Sequence, residues 1–184
     1  LSSGAELISP NPLTMPDGNG FKDTAVLYEV ASLLKDAGAR VSRNTGLHVS
    51  VDTTGMNLAG LKRLAKLWIH YENTMFTLVS ASRRSGRQAD IYVARSRRTF
   101  TSESHAFRLI DNATGVRDIA NKFGRGALNF NRQAMQNRVE FRLHQGTLNA
   151  TKMERFLELA VMFVDAAHNG VEVVASSDWN ADIS

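Results

Sequence analysis

A stretch that begins at Arg138 alternates apolar and polar side chains over seven residues, and it constrains the fold more than any other feature. Its apolar positions are Val139, Phe141 and Leu143, and its polar positions are Arg138, Glu140, Arg142 and His144. Successive side chains of a strand point to opposite faces, so the pattern predicts a strand with one face on the core. The other face combines a carboxylate, two guanidiniums and an imidazole, groups that hold anions and metal ions. An ordinary solvent-facing strand is the alternative.

A second segment, Thr45 to Asp52, repeats this design. Leu47, Val49 and Val51 form its apolar side, and His48, Ser50 and Asp52 form its polar side. If both strands belong to one sheet with their apolar faces on the core, His48 shares the opposite surface with Glu140 and Arg142. The sequence therefore predicts a polar site on one face of a sheet.

Helical and strand patterns elsewhere provide the scaffold for this sheet. Apolar spacing predicts long helices at 23–37, at 57–78 with Asn57 as the N-cap, and at 151–168, with shorter helices near 105–110 and 115–123. Strands are predicted at 5–9, at about 39–52 and at 127–132, the last forming an antiparallel hairpin with the strand at 138. This order predicts one α+β domain over residues 1–184. Its largely antiparallel, curved sheet would have helices on one face and a polar active-site face on the other.

Glu72 is an exception on the long helix that follows Asn57. It lies four residues after Trp68 and three before Met75, on or beside the apolar stripe, where a lone carboxylate is costly. One interpretation is an edge position that reaches water. The other is a buried anchor for an arginine such as Arg83 or Arg84.

Composition excludes several classes of protein. Hydrophobic residues make up 43% of the 184 residues, enough for a core, and no apolar run has the roughly 20 residues of a membrane span. The absence of cysteine excludes disulfides, thiolate zinc sites and a cysteine nucleophile, and it favours a cytoplasmic location.

The charge of the chain is positive and unevenly distributed. The net charge is +4, and six arginines crowd one segment: Arg83, Arg84, Arg87, Arg95, Arg97 and Arg98. Nucleotide phosphates, an acidic substrate or a solvated loop would each suit this segment. Nucleic acid is a weaker interpretation, because the segment offers only Tyr92 and Phe100 for base stacking.

Four motifs in this order resemble the putative amidoligase family, within the glutamine synthetase and glutamate-cysteine ligase superfamily. They are Glu6–Pro10, Gly46–Val51, Tyr71-Glu72 followed by Arg83-Arg84, and Val139–Thr147. The resemblance extends from about Glu6 to Ala167. It implies an enzyme that joins a carboxylate of a small molecule or peptide to ammonia or an amine, after ATP has phosphorylated the carboxylate. It also implies a glutamine synthetase-like catalytic domain with Mg²⁺ bound on the concave sheet face.

The resemblance also implies roles for individual residues. Carried over by motif, the metal ligands would be Glu6, His48 and Glu140, and the phosphate contacts would be Arg142, Arg83 and Arg84. Arg142 on the transferred phosphoryl group and Glu140 would be the catalytic pair. Oxygen ligands for Mg²⁺ and planar guanidiniums for phosphate are what phosphoryl transfer requires.

Two features depart from the family pattern. The family has an upstream strand with a Glu-x-Glu pair that supplies further metal ligands, and this sequence opens at Leu1 without it. We therefore expect an amino-terminally truncated piece of a longer chain. Ser50 also stands where the family often has a second histidine.

Two other functions remain open at this level. A non-catalytic module of the same fold would bind an anionic ligand or partner through the arginine-rich segment, with a steep dependence on salt. A hydrolase that uses His48 as a base is less favoured, because no Gly-x-Ser-x-Gly nucleophile motif accompanies it.

Overall fold

The computed structural model describes residues 6–9, 12–13, 24–84, 93 and 95–178, without the side chains of Thr24 and Arg97. Its elements in chain order are α1 (Thr24–Asp36), β1 (Val49–Asp52), α2 (Leu58–Thr77), α3 (Ala81–Arg84), a 3₁₀ turn (Ser96–Thr99), α4 (Glu103–Asp111), α5 (Val116–Phe123), β2 (Leu128–Asn129), α6 (Gln133–Gln136), β3 (Arg138–Phe141) and α7 (Ala150–His168). Within these described ranges, no helix is long and apolar enough to cross a membrane.

The sheet is small, and β3 is its central strand. The strand order is β1-β3-β2, and both pairings are antiparallel. Glu140 lies opposite Ser50 on one side and opposite Asn129 on the other. The segment before β1 and the segment after β3 are also paired, through an isolated bridge between Gly46 and Gln145. The α+β class and the β2–β3 hairpin are therefore confirmed, with α6 forming the connection of the hairpin.

The apolar face of the sheet is covered by α2 and α7. Trp68 of α2 lies with its ring centroid 5.7 Å from both Phe141 of β3 and Phe163 of α7. Trp68 and Phe141 are completely buried. Each such side chain contributes roughly 1.5–3 kcal/mol through burial. This aromatic cluster fixes which face of the sheet remains for polar groups.

The predicted helices are present, with shifts in the face that they bury. Asn57 caps α2 by accepting a hydrogen bond from the Gly60 amide at 2.9 Å, as predicted. The apolar spacing of α2 puts Tyr71 on its stripe with Trp68, but Tyr71 is 44% exposed. The buried face of α2 is wider than the stripe and includes Ile69 and Phe76, because α4 packs against the helix on a second side.

The stripe predicted for α1 is only partly buried. Ala31 is buried, but Val26 and Leu33 are 43% and 68% exposed. Among the elements of the described structure, only α7 makes substantial contact with this helix. The predicted helix is therefore confirmed, and it buries only part of its apolar side.

Two strand predictions also need correction. Residues 6–9 are exposed and have no regular secondary structure, so the strand predicted at 5–9 is wrong for the part that the structure describes. The strand predicted at 39–52 shortens to β1, because only these residues form a continuous ladder with β3. The sequence also favours a glycine-rich loop at 17–20 and a short strand at 91–94, and these residues lie outside the described structure except for residue 93.

Glu72 is a buried anchor, although not for the arginines that were expected. The residue is fully buried, and its Oε1 accepts hydrogen bonds from Trp68 Nε1 at 3.0 Å and from the Ser96 amide at 2.8 Å. Arg83 and Arg84 instead donate to backbone carbonyl oxygens of Thr45 and Val79. Glu72 thus fastens the 3₁₀ turn to the middle of α2.

We expect Glu72→Leu to destabilise the protein by about 2–4 kcal/mol, because two buried N–H donors lose their acceptor at roughly 1–3 kcal/mol each. Urea unfolding followed by circular dichroism measures this change. Glu158→Gln, at the exposed Arg155–Glu158 pair of α7, is the control and should leave the midpoint nearly unchanged. Equal midpoints for the two variants would contradict the anchoring role of Glu72.

Candidate functional site

Three of the predicted site residues meet on the polar face of the sheet. Antiparallel pairing of β1 with β3 brings His48 beside Glu140, with His48 Nδ1 3.4 Å from Glu140 Oε1. Arg142 donates from a terminal guanidinium nitrogen to Glu140 Oε2 at 3.0 Å. The predicted shared surface of His48, Glu140 and Arg142 is therefore present.

Asn129 is a member of this site that sequence reasoning did not assign. It lies on β2 directly opposite Glu140, and its Nδ2 donates to Glu140 Oε2 at 2.9 Å. Alternation along residues 127–132 puts Asn129 on the polar side of its strand. Which group it contacts depends on the partner strand, β3. With Oε2 bound by Asn129 and Arg142, Glu140 turns Oε1 towards His48.

Glu140 is held in its ionised form. Burial disfavours the charged carboxylate, but the hydrogen bonds from Asn129 and Arg142, together with the charges of Arg142 and His48, outweigh that effect and lower the pKa of Glu140. A carboxylate at neutral pH is the form that binds a cation or balances a guanidinium.

The imidazole of His48 is held in its neutral form. Burial is the largest effect, and the charge of Arg142 adds to it, so the pKa of His48 lies below its usual value although Glu140 acts in the opposite direction. His48 Nδ1 lies 3.4 Å from Glu140 Oε1, and this contact would be an ion pair only with a protonated ring. The lowered pKa indicates a neutral ring near pH 7, which is the form that can ligate a metal ion.

Arg83 reaches this surface from α3, outside the sheet. The residue is 3% exposed and donates to the carbonyl oxygen of Thr45 at 2.6 Å. Its Nε has no hydrogen-bond partner among the described residues. Burial and the nearby charge of Arg142 both lower the pKa of Arg83. Two buried guanidiniums at close range form a surface that an anion would stabilise.

Gly46, which lies just before β1, allows Arg83 and His48 to come close to the backbone there. A Cβ atom at this position would lie 2.8 Å from a terminal nitrogen of Arg83 and 3.0 Å from His48 Nε2. Both distances are shorter than ordinary contacts. The absence of a side chain at Gly46 is therefore a packing requirement of the site.

Two further predicted residues have different surroundings. Glu6 is exposed, and its carboxylate lies near enough to His48 to act against the lowering of the histidine pKa. No cluster of three or more His, Asp or Glu side chains arranged for metal binding occurs in the described part of the chain. Arg84 is exposed and donates from Nε to the Val79 carbonyl oxygen, just after α2. The metal role of Glu6 and the phosphate role of Arg84 stay predictions.

His144 borders the same surface beyond the end of β3. The residue is 8% exposed, its Nδ1 lies 2.6 Å from the Gln145 carbonyl oxygen, and its ring centroid lies 5.0 Å from that of Phe156. Burial is the main reason that the pKa of His144 is lowered, and the charges of Lys152 and Arg83 add to it. His144 is therefore neutral near pH 7.

The site is thus one ionised carboxylate, two neutral imidazoles and two guanidiniums on the polar face of an α+β sheet. A family model described as "Putative amidoligase enzyme" matches residues 2–164, which include all of these groups. The chain belongs to this family, and the resemblance of its motifs is confirmed. No curated protein matches the chain, and no solved structure matches it.

We expect Gly46→Ala to destabilise the protein by about 1–3 kcal/mol, because the added methyl group overpacks the contact with Arg83 and His48. Thermal unfolding measures this loss. Gly115→Ser is the control, since its Cβ would meet no atom within 4 Å and serine suits this N-cap position of α5. If Gly115→Ser were as destabilising as Gly46→Ala, the packing requirement at Gly46 would be refuted.

Stability should fall as the pH is lowered below about 6.5. The pKa of His144 is lower in the folded protein than the ordinary value of 6.5, so the unfolded chain binds more protons in the interval between the two values. Stability therefore rises with pH across that interval and levels off above 6.5. Urea midpoints at pH 5.5 and 7.5 should differ less in His144→Gln than in the wild type. An unchanged difference would contradict this assignment.

Proposed function

We propose that this chain is the catalytic domain of an ATP- and Mg²⁺-dependent ligase that joins a carboxylate to an amine or ammonia through an acyl phosphate. Family membership supports the amide-forming class. The observation that carries the mechanism is the ionised Glu140 between neutral His48 and the guanidinium of Arg142, with Arg83 beside it. This arrangement offers cation ligands and phosphate contacts on one surface. A glutamine synthetase-like catalytic sheet is part of the same proposal.

His48 and Glu140 fit a hard divalent cation as two neighbouring ligands. Their facing atoms, Nδ1 and Oε1, lie 3.4 Å apart. Both atoms could therefore contact one ion. Glu6 would be a ligand of another ion, and the bound ions would neutralise charge on the phosphates of ATP.

Arg142 and Arg83 supply the positive charge that phosphoryl transfer needs. In the first step a substrate carboxylate oxygen bonds to the γ-phosphorus of ATP, and the bond from that phosphorus to the bridging oxygen breaks to release ADP. Planar guanidiniums bind phosphate oxygens in pairs. Arg142 is oriented for this by its hydrogen bond to Glu140, and Arg83 by its bond to Thr45.

A second function is favoured by one observation. The described residues hold no group of three or more metal-binding side chains. A non-catalytic module would use Arg83 and Arg142 to bind an anion without a metal ion. Its affinity would then fall with salt and would not depend on Mg²⁺.

Calorimetric titration of ATP with and without Mg²⁺ distinguishes these functions. For the ligase we expect binding that requires Mg²⁺ and weakens by about tenfold or more in Glu140→Gln, because loss of a metal ligand or of its hydrogen-bond partners has at least this effect. Glu158→Gln, on the exposed surface of α7, is the matched control and should bind like the wild type. If ATP binding depended neither on Mg²⁺ nor on Glu140, the ligase function would be rejected and the anion-binding module supported.

A further inference from the structure

The tautomer of His144 follows from its hydrogen bond. Its Nδ1 lies 2.6 Å from the carbonyl oxygen of Gln145. A carbonyl oxygen only accepts hydrogen bonds, so Nδ1 must carry the proton. In the neutral ring Nε2 then has a free lone pair. This nitrogen has no hydrogen-bond partner among the described residues.

The surroundings keep the ring fixed and neutral. Phe156 of α7 packs against the imidazole at 5.0 Å between ring centroids. The charged groups that act on it are Lys152 of α7 and Arg83 of α3, and both disfavour a proton on the ring. His144 therefore offers a hydrogen-bond acceptor, Nε2, close to Arg83 and Lys152, whose side chains can only donate.

His144 borders the surface where the proposed reaction takes place. It lies two residues beyond Arg142 in the alternating segment. The His144 carbonyl oxygen accepts a hydrogen bond from the Leu47 amide at 3.0 Å, next to His48, and Arg83 donates to the nearby Thr45 carbonyl oxygen at 2.6 Å, so the three residues lie in one region. A molecule whose anionic part is held by Arg83 would therefore lie near an imidazole that can accept a proton.

We propose that His144 is the group that accepts the proton from the attacking amine when the amide bond forms. This proposal rests on the proposed ligase function. The amine nitrogen bonds to the acyl carbon, its N–H proton passes to Nε2 of His144, and the bond from carbon to the phosphate oxygen breaks. The electron pair of that bond leaves with inorganic phosphate, and His144 returns its proton to solvent.

Nuclear magnetic resonance of ¹⁵N-histidine-labelled protein tests the first requirement of this proposal. The signal of His144 is assigned by its loss in His144→Asn. We expect a neutral ring with the proton on Nδ1 at pH 7.5 to 8, and a change to the doubly protonated form with a midpoint below the ordinary value of 6.5. A proton on Nε2, or a charged ring at pH 7, overturns the proposal whatever the activity of the protein.

Kinetics with ammonia as the probe nucleophile tests the second requirement. The amide product is measured with ATP, Mg²⁺ and each of acetate, succinate and L-glutamate in turn. His144→Asn keeps a donor for the Gln145 carbonyl oxygen and lacks the Nε2 lone pair. We expect it to lower the transfer rate by about 100-fold or more, the usual contribution of general base catalysis. At a constant concentration of free ammonia, the acid limb of the pH–rate profile should disappear in this variant.

Controls separate this proposal from the ligase function itself. His168→Asn, at the exposed end of α7, should transfer like the wild type. Mg²⁺-dependent ATP binding should change less than about twofold in His144→Asn. If that binding is normal and transfer is undiminished, the role of His144 is refuted while the ligase stands. Wild-type nucleotide binding that does not depend on Mg²⁺ would instead refute the ligase.

Discussion

The pairing of β3 with a strand on each side is the constraint on which the site depends. Because side chains alternate along a strand, a slip of one residue against β1 would move His48 to the other face and leave Glu140 without it. The register places Ser50 and Asn129 opposite Glu140 and keeps the polar groups together. The same register sends Val139 and Phe141 into the core. Burial of the apolar face therefore also fixes the geometry of the polar face.

The positive charges of the arginines on this surface are only partly neutralised by other groups of the protein. Glu140 compensates Arg142 directly, and Asn129 adds a neutral donor, so the carboxylate stays ionised in spite of burial. Among the described residues, the hydrogen-bond partner of Arg83 is the backbone oxygen of Thr45, and the charge of Arg142 acts on Arg83. Burying a guanidinium without a carboxylate is costly. Functional sites often retain such a cost, and an anionic ligand would offset it.

The helices hold the site together from behind. Trp68 links the sheet to α7 through its ring and binds Glu72 through its indole nitrogen. Glu72 in turn fixes the turn at Ser96, so one side chain on α2 connects the core to the final part of the arginine-rich segment. A buried carboxylate with several hydrogen bonds has few alternative positions. This rigidity favours a preorganised site.

Local periodicity was enough to predict the α+β class, the hairpin, the long helices α2 and α7, and the polar side of each strand on which His48, Glu140 and Arg142 lie. Tertiary structure decided the partners of the polar groups. Asn129 meets Glu140 only through the pairing of two strands, Glu72 accepts a hydrogen bond from the distant Ser96 amide, and Arg83 enters from a separate helix. Periodicity specifies which way a side chain points along its own element. Which groups it then meets depends on contacts between residues far apart in the chain, and these are set by the packing of the whole domain.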